Sequence, residues 1–433
     1  MDPSKASDLI PATGRVLIAF SGGGDSVCLA HWLTQTLDPE RLVCIHIDHG
    51  LDSESAHRAA HAEKIAAALG LPCQVETLGL QITRNVEARA REARYTALQG
   101  HMRHGDVLVT AHHADDVAET MLLRLLRGGS TLALSGIQQD QAFGPGRLIR
   151  PLLAWSKTMI TDHLTQHALM HLQDPTNDVL SLDRNFIRSA IMPRLVDRFP
   201  GAVAALNQSA QLNADAAKTL TTYLRQDLQS NMRSPYRLST QGWAELSAFH
   251  QGELIRQWCR DHALSPPPGK PLRSFIDQLK TADPDRCPTL HWQHASLYHY
   301  QNQLWLEPGS SKHRQALHDY ALTWTGAQPL PLPRPLGQLT LSPEARQRLI
   351  KAHGSALLLR VCSGQPGETI ALGASPQVRR IRSLMSKAHI PPWRRDRWPR
   401  VWLDDELIAC GDRWQTQRLE SGLTWSGTDP SWA

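Results

Sequence analysis

No two of the seven cysteines (28, 44, 73, 259, 287, 362 and 410) form a CxxC pair. Neither a zinc ribbon nor an iron–sulfur site is therefore signalled. No apolar run approaches the ~18 residues of a membrane span, and Met1 to Pro11 lacks the apolar core of a signal peptide. Scattered cysteines, some in apolar runs, suit a reducing compartment, so the expected location is cytoplasmic. Neither sign of charge dominates: 46 Lys and Arg face 41 Asp and Glu, a formal net charge of +5. The overall balance does not announce a nucleic-acid binder, and where the charge sits matters more. Internal repeats and low-complexity tracts are also missing. With 433 residues, the chain is too long for one ordinary core, and two or three domains are expected.

What is there begins with Ser21-Gly22-Gly23-Gly24-Asp25-Ser26. This run follows the apolar stretch Val16–Phe20 and precedes a helical pattern over Val27–Leu37. A strand that breaks into glycines and re-forms as a helix leaves backbone N–H groups without partners at the positive end of the helix dipole, which suits a phosphate. Ser21 and Ser26 add hydroxyl donors. Asp25 would repel phosphate unless a metal ion sits between them, and an Mg²⁺ shared with a nucleotide resolves the conflict. The run lacks the Gly-Lys-Ser/Thr ending of the common P-loop. It resembles the PP-loop of the ATP pyrophosphatases, a resemblance that implies ATP cleaved between its α and β phosphates.

Strand and helix patterns alternate through the first part of the chain. Apolar runs fall at Val16–Phe20, Leu42–Ile47 and Val107–Thr110, with helical segments at Ser26–Leu37, Ser53–Leu69, Asn85–Gln99 and Asp115–Leu126. This alternation predicts a parallel sheet covered by helices on both faces, α/β in class, with ligands beyond the carboxyl ends of the strands. The glycine loop, His46-Ile47-Asp48-His49-Gly50 and Thr110-Ala111-His112-His113 all stand at such ends. A connecting helix is expected around Asn207–Leu228. A helical middle domain follows, with helices at Trp243–His262 and Arg273–Ala282. Pro329, Pro331, Pro333 and Pro335 make an extended stretch, read as an inter-domain linker or an edge strand. The domains expected are 1–215 (catalytic), 216–328 (helical) and 336–433 (small, α+β).

The segment Thr110–Thr120 holds His112, His113, Asp115, Asp116 and Glu119. Asp116 and Glu119 share a helix face and make an anionic spot suited to an ammonium group. The same residues fit two other readings: a metal site of the HD phosphohydrolase kind, or a helix start with acids against the dipole. Asp48 and His49 border a nucleotide pocket or, alternatively, close a βα turn.

A wider set of motifs is similar to the bacterial tRNA(Ile)-lysidine synthase family. It comprises Ser21–Ser26, His46–Leu51, Asn85 with Ala90–Tyr95, Thr110–Thr120, Leu123–Leu125 with Arg127-Gly128, Arg150–Leu153, Arg184–Arg188 and Ile390–Arg397. These run in order along nearly the whole chain. Two departures, Ser363–Glu368 and Thr176, lie outside the active-site motifs. The resemblance implies adenylation of the wobble cytidine of an isoleucine tRNA with a CAU anticodon, then attack by the ε-amine of free L-lysine with loss of AMP. It implies ATP and Mg²⁺, no membrane and no obligate protein partner. Ser21, Gly22, Gly23, Gly24, Asp25, Ser26, His46, Asp48 and His49 would hold the nucleotide, with Asp25 on the metal. Asp116 and Glu119 would grip lysine, and one of them or His113 would take its proton. Arg91 would contact phosphate or adenylate; a salt-bridged helix face with Glu87 is the alternative. Arg184 and Arg188, four residues apart, would touch RNA or substrate, or form a structural salt bridge.

The far end is basic. Arg379, Arg380, Arg382, Lys387, Arg394, Arg395, Arg397 and Arg400 stand against the single acid Asp396 between 379 and 400, interleaved with Trp393 and Trp398. Such a run suits an RNA backbone, with tryptophan available to stack.

Overall fold

The computed structural model describes residues 7–50, 55–79, 86–172, 183–281, 287–309, 320–334, 336–354, 357–372 and 378–426. The chain forms two compact units, Met1–Leu220 and Thr221–Ala433.

The first unit is built on a six-stranded sheet. Its strands are β1 (Val16–Ala19), β2 (Leu42–Asp48), β3 (Cys73–Thr77), β4 (Val107–Val109), β5 (Asp140–Phe143) and β6 (Gly146–Ile149). Their order is β3-β2-β1-β4-β6-β5. All pair in parallel except β5, which runs antiparallel at the edge. The central strands β1, β2 and β4 read as apolar runs because both faces of the sheet are covered there. Val16, Ile18 and Val109 pack under α1 (Gly24–Thr36), α2 (Ser55–Ala68) and α6 (Lys157–Gln166). Leu17, Ile45 and Leu108 pack on the other face against Leu98 of α3 (Val86–Gly100). The three apolar runs expected from the sequence are β1, β2 and β4. β3 is not announced by an apolar run, because it is an edge strand largely exposed along its length. The residues expected to open α2 and α3, Ser53 and Asn85, lie outside the described residues, as does Thr176.

Strand order reverses between β1 and β4, and a crevice opens beyond the carboxyl ends of strands at such a point. The glycine loop follows β1, and the histidine–carboxylate segment that follows β4 opens α4 (Ala114–Leu126), with the single-turn α5 (Thr131–Leu134) after it. Two short helical pieces beside them, α7 (Asp183–Phe186) and a π-turn (Ile187–Ile191), run into α8 (Met192–Arg198). A 30-residue helix, α9 (Ala202–Asn231), contains the boundary between the units.

In the second unit, α10 (Ala248–Asp261) and α11 (Gly269–Thr281) match the helices expected there. The middle region also carries a five-stranded antiparallel sheet that the helical reading did not include. Its centre is the hairpin of Ala295–Tyr300 with Gln303–Pro308. The proline-rich stretch is an edge strand rather than a spacer: Leu330-Pro331 pairs with Gln338–Leu341, and Leu332 and Leu336 enter the core of the C-terminal part. Proline is tolerated there because an edge strand leaves one row of N–H groups unpaired. Pro335 lies outside the described residues.

Candidate active site

The glycine loop is locally encoded. Gly22 sits at φ +79°, and a Cβ on it would meet a Leu172 methyl at 2.9 Å. Gly23 caps α1 without a side-chain hydrogen bond. The first-turn amides of α1 therefore have neither a side-chain cap nor an intrahelical acceptor. Ser26 Oγ donates to the Gly23 carbonyl at 2.8 Å and lies 3.1 Å from Ser21 Oγ, which fixes the loop.

A cleft of about 580 Å³ opens beside this loop, within the range of small-molecule sites. Ser21, Asp25 and Ser26 line it from the β1 end, and His46, Asp48 and His49 from the β2 end. Arg91, Arg94 and Tyr95 line it from α3, and Thr110, His112 and Asp116 from the β4 end. Arg184 and Arg188 complete the wall. His113 and Glu119 lie behind it, both buried. A larger groove of about 1080 Å³ lies between α10 and α11 in the second unit and holds none of these motifs.

Asp25 is gripped by Lys157 of α6 at 2.5 Å, and its other oxygen lies 3.7 Å from His113 Nε2. Burial pushes its carboxyl up, but His113 and Lys157 outweigh burial and hold it well below the usual carboxylate range. Asp25 is thus an ionised carboxylate at the mouth of a phosphate-type loop, balanced by a movable ammonium group. That donor set fits a hard divalent cation such as Mg²⁺, with Ser21 and Ser26 nearby. Lys157 carried no motif signal; only the packing of α6 against α1 brings it to Asp25.

The adjacent histidines differ. Burial alone would lower His113, but Asp115, Asp25 and Asp116 around it raise its pKa to about 9. With that value it is an imidazolium at neutral pH, which favours Asp116 or Glu119 over His113 among the three proton acceptors the sequence offered. His112 is driven the other way by burial, with the Arg150, Arg91 and Arg184 charges adding to the effect, so it is neutral. It contacts Thr110 Oγ1 through Nδ1 at 2.8 Å.

The i, i+3 spacing does place Asp116 and Glu119 on one face of α4, but the spot is filled. Arg184 reaches Asp116 at 2.9 Å and Glu119 at 3.1 Å; Arg188 reaches Glu119 at 2.7 Å and Asp116 at 3.0 Å. Arg184 and Arg188 thus form the salt bridges that were their alternative reading, and both also line the cleft. Burial pushes Asp116 up, but His113 and Arg184 bring it below its ordinary value. Asp48 closes the βα turn, its carboxylate accepting from the Gly50 amide at 2.9 Å, and it also borders the cleft. His46 is buried and bonded to the Phe20 carbonyl at 2.9 Å. Arg91 lies over the Tyr95 ring at 5.2 Å. The Glu87 side chain lies outside the described residues.

The basic C-terminal run divides. Arg379, Arg380, Arg382 and Lys387 are exposed, on the strand Val378–Arg380 and the helix Ile381–Lys387. Arg394 and Arg397 are buried against Glu307 at 3.0 and 2.8 Å, and Arg400 against Glu368. Arg395 is half-buried, bonded to the Ile390 carbonyl. Trp393 stacks on Tyr298 at 4.2 Å and donates to Glu307. Arg394 and Arg397 are thus corrected from RNA contacts to interior ion pairs, because Glu307 supplies the countercharge that a phosphate would otherwise provide. Trp393 and Trp398 likewise pack against other aromatic rings.

A parallel sheet with a glycine loop after its first strand and an ionised Asp at the start of the next helix defines a PP-loop protein, and a model of the PP-loop domain matches residues 4–195. A TilS substrate binding domain matches residues 238–305, and a TilS substrate C-terminal domain matches 359–427. The tRNA(Ile)-lysidine synthase of Alkalilimnicola ehrlichii is 35% identical over 94% of this chain and 92% of its own length. That of Xanthomonas campestris pv. campestris is 33% identical over 98% and 96%, and that of Edwardsiella ictaluri 32% over 93% and 92%. The chain belongs to the tRNA(Ile)-lysidine synthase family.

Proposed function

We propose that this chain uses ATP to join free L-lysine to the wobble cytidine of an isoleucine tRNA with a CAU anticodon, forming lysidine in the cytoplasm. The observation that carries the reading is the convergence of the glycine loop, Asp25, His112 and Asp116 on one cleft at the β1–β4 switch point.

The α1 amides and the Ser21 and Ser26 hydroxyls receive the phosphates. Asp25 would hold Mg²⁺, exchanging Lys157 for it; the ion, when bound, offsets charge on the departing pyrophosphate. Lys157, once released, stays within reach of the same phosphates. The 2-carbonyl oxygen of the cytidine attacks the α-phosphorus, the bond to the β-phosphate oxygen breaks, and pyrophosphate leaves. Arg91 faces the adenylate from α3. Lysine then enters at Asp116 and Glu119 by displacing one guanidinium, cation for cation. A buried carboxylate pair cannot be left without a countercharge, so the arginines keep the site stable until substrate arrives. The carboxylate freed of its arginine takes one proton from the ε-ammonium, the neutral ε-nitrogen bonds to C2, and neutral His112 takes the second proton as the C2–O bond breaks and AMP leaves. Imidazolium His113 keeps Asp25, Asp115 and Asp116 ionised. Residues 1–215 would carry this chemistry, and 216–328 with 336–433 would dock the tRNA body.

The test mixes the protein with ATP, Mg²⁺, labelled lysine and the CAU-anticodon isoleucine tRNA. Label should enter RNA with stoichiometric AMP and pyrophosphate. Binding of the tRNA without incorporation of label refutes the reading.

A further inference from the structure

Away from the cleft, α1 and α6 bring three histidines together: His31 from α1, and His163 with His167 from one face of α6 and its C-cap. One ring nitrogen from each lies within 4.8 Å of the other two. His31 Nδ1 and His163 Nε2 are 2.9 Å apart and share a single proton. The rings sit at centroid separations of 5.0, 4.6 and 4.7 Å. Trp155 closes one side, edge-on to His163 at 5.7 Å, and His167 opens to solvent.

We propose that His31, His163 and His167 form a Zn²⁺ site that ties α1 to α6. Imidazole nitrogens bind Zn²⁺ at about 2.0–2.1 Å, so tetrahedral ligand nitrogens stand about 3.3–3.4 Å apart. The 2.9 Å between His31 and His163 lies just under that value and every ligand nitrogen lies within 4.8 Å of the others, so small side-chain rotations reach it. The metal replaces the proton shared by His31 and His163, and a water takes the fourth position beside exposed His167. Three imidazole nitrogen donors with no carboxylate among them disfavour Mg²⁺ and Ca²⁺ and select a borderline ion. The clamp also has a consequence for the cleft. His31 lies six residues beyond Asp25 on α1, and His163 six residues beyond Lys157 on α6, about 9 Å in each case. Zn²⁺ would thus pin the two helices that carry the Asp25–Lys157 pair.

The full chain, stripped by a chelator and desalted, is titrated with Zn²⁺, with Co²⁺ as an absorbing probe. One equivalent should bind, Co²⁺ should give a tetrahedral visible spectrum, and Zn²⁺ should raise the melting temperature. Loss of an outer-sphere partner already weakens metal sites 10–100-fold, so H167Q and H163Q should each lose about tenfold or more. Circular dichroism checks that both variants fold. The proposal is overturned if no saturable equivalent binds, or if the folded H163Q/H167Q double variant binds as the wild type does. These readouts do not involve lysine ligation, so they stand or fall separately from the proposed activity.

Discussion

The division of the C-terminal arginines into exposed and buried sets predicts a specific salt dependence for tRNA binding. The perturbation replaces Arg379, Arg380, Arg382 and Lys387, all exposed, by glutamine. Each neutralised phosphate contributes about 0.7–0.9 to the slope of log K against log salt. If all four meet phosphate, the slope should flatten by about 3 units. The matched control removes two guanidinium groups from the interior: Arg394→Met and Arg397→Met with Glu307→Gln. Glu307 must change with its partners, since breaking a buried pair from one side leaves an uncompensated charge at roughly 3–5 kcal/mol, whereas replacing the whole set is near neutral. The glutamine keeps an acceptor for Trp393, whose indole donates to Glu307 at 2.8 Å. Filter binding of labelled tRNA from 50 to 200 mM salt reads both variants. The control should keep the wild-type slope. A control that folds yet flattens the slope as far as the surface variant, or a surface variant with an unaltered slope, refutes the assignment.

Asp25→Ala should abolish pyrophosphate release while tRNA binding persists; retained release removes Asp25 from metal holding. Asp116→Asn should spare pyrophosphate release and raise the lysine KM about tenfold or more, as expected for a lost charge-assisted contact; an unchanged lysine requirement argues against the cation-exchange site. Gly22→Ala should cost about 1–2 kcal/mol from its left-handed backbone alone, with a further clash against Leu172, and ATP protection against thermal unfolding should vanish. His113, with a folded value of about 9 above its unfolded value near 6.5, contributes stability that is complete below about pH 6.5 and lost as pH rises toward 9. Denaturant midpoints should fall over that window in the wild type and much less in His113→Asn; parallel curves would refute the charged histidine.

Part of this site is local and therefore legible. The apolar runs of β1, β2 and β4, the glycines after β1 and the i, i+3 acids of α4 are short-range patterns, and their convergence follows from the rule for parallel sheets. β3 escaped because an edge strand needs no apolar run, and the middle sheet because its strands, three to six residues long, are too short to set a period against the flanking helices.

The tertiary structure decided the pairings. Lys157 meets Asp25 from 132 residues away, Arg184 and Arg188 fill the Asp116–Glu119 spot from more than 60, and Glu307 draws Arg394 and Arg397 into the interior. Identity and spacing determine which side chains can ionise, turn or cap. They do not say which opposite charge will lie within 4 Å once the helices pack. Because a buried charge must find a partner, it is the long-range partner that settles whether an arginine faces RNA, a substrate carboxylate or the core. The glycine loop needs no such partner: its amides come from the backbone itself, which is why a six-residue sequence announced it.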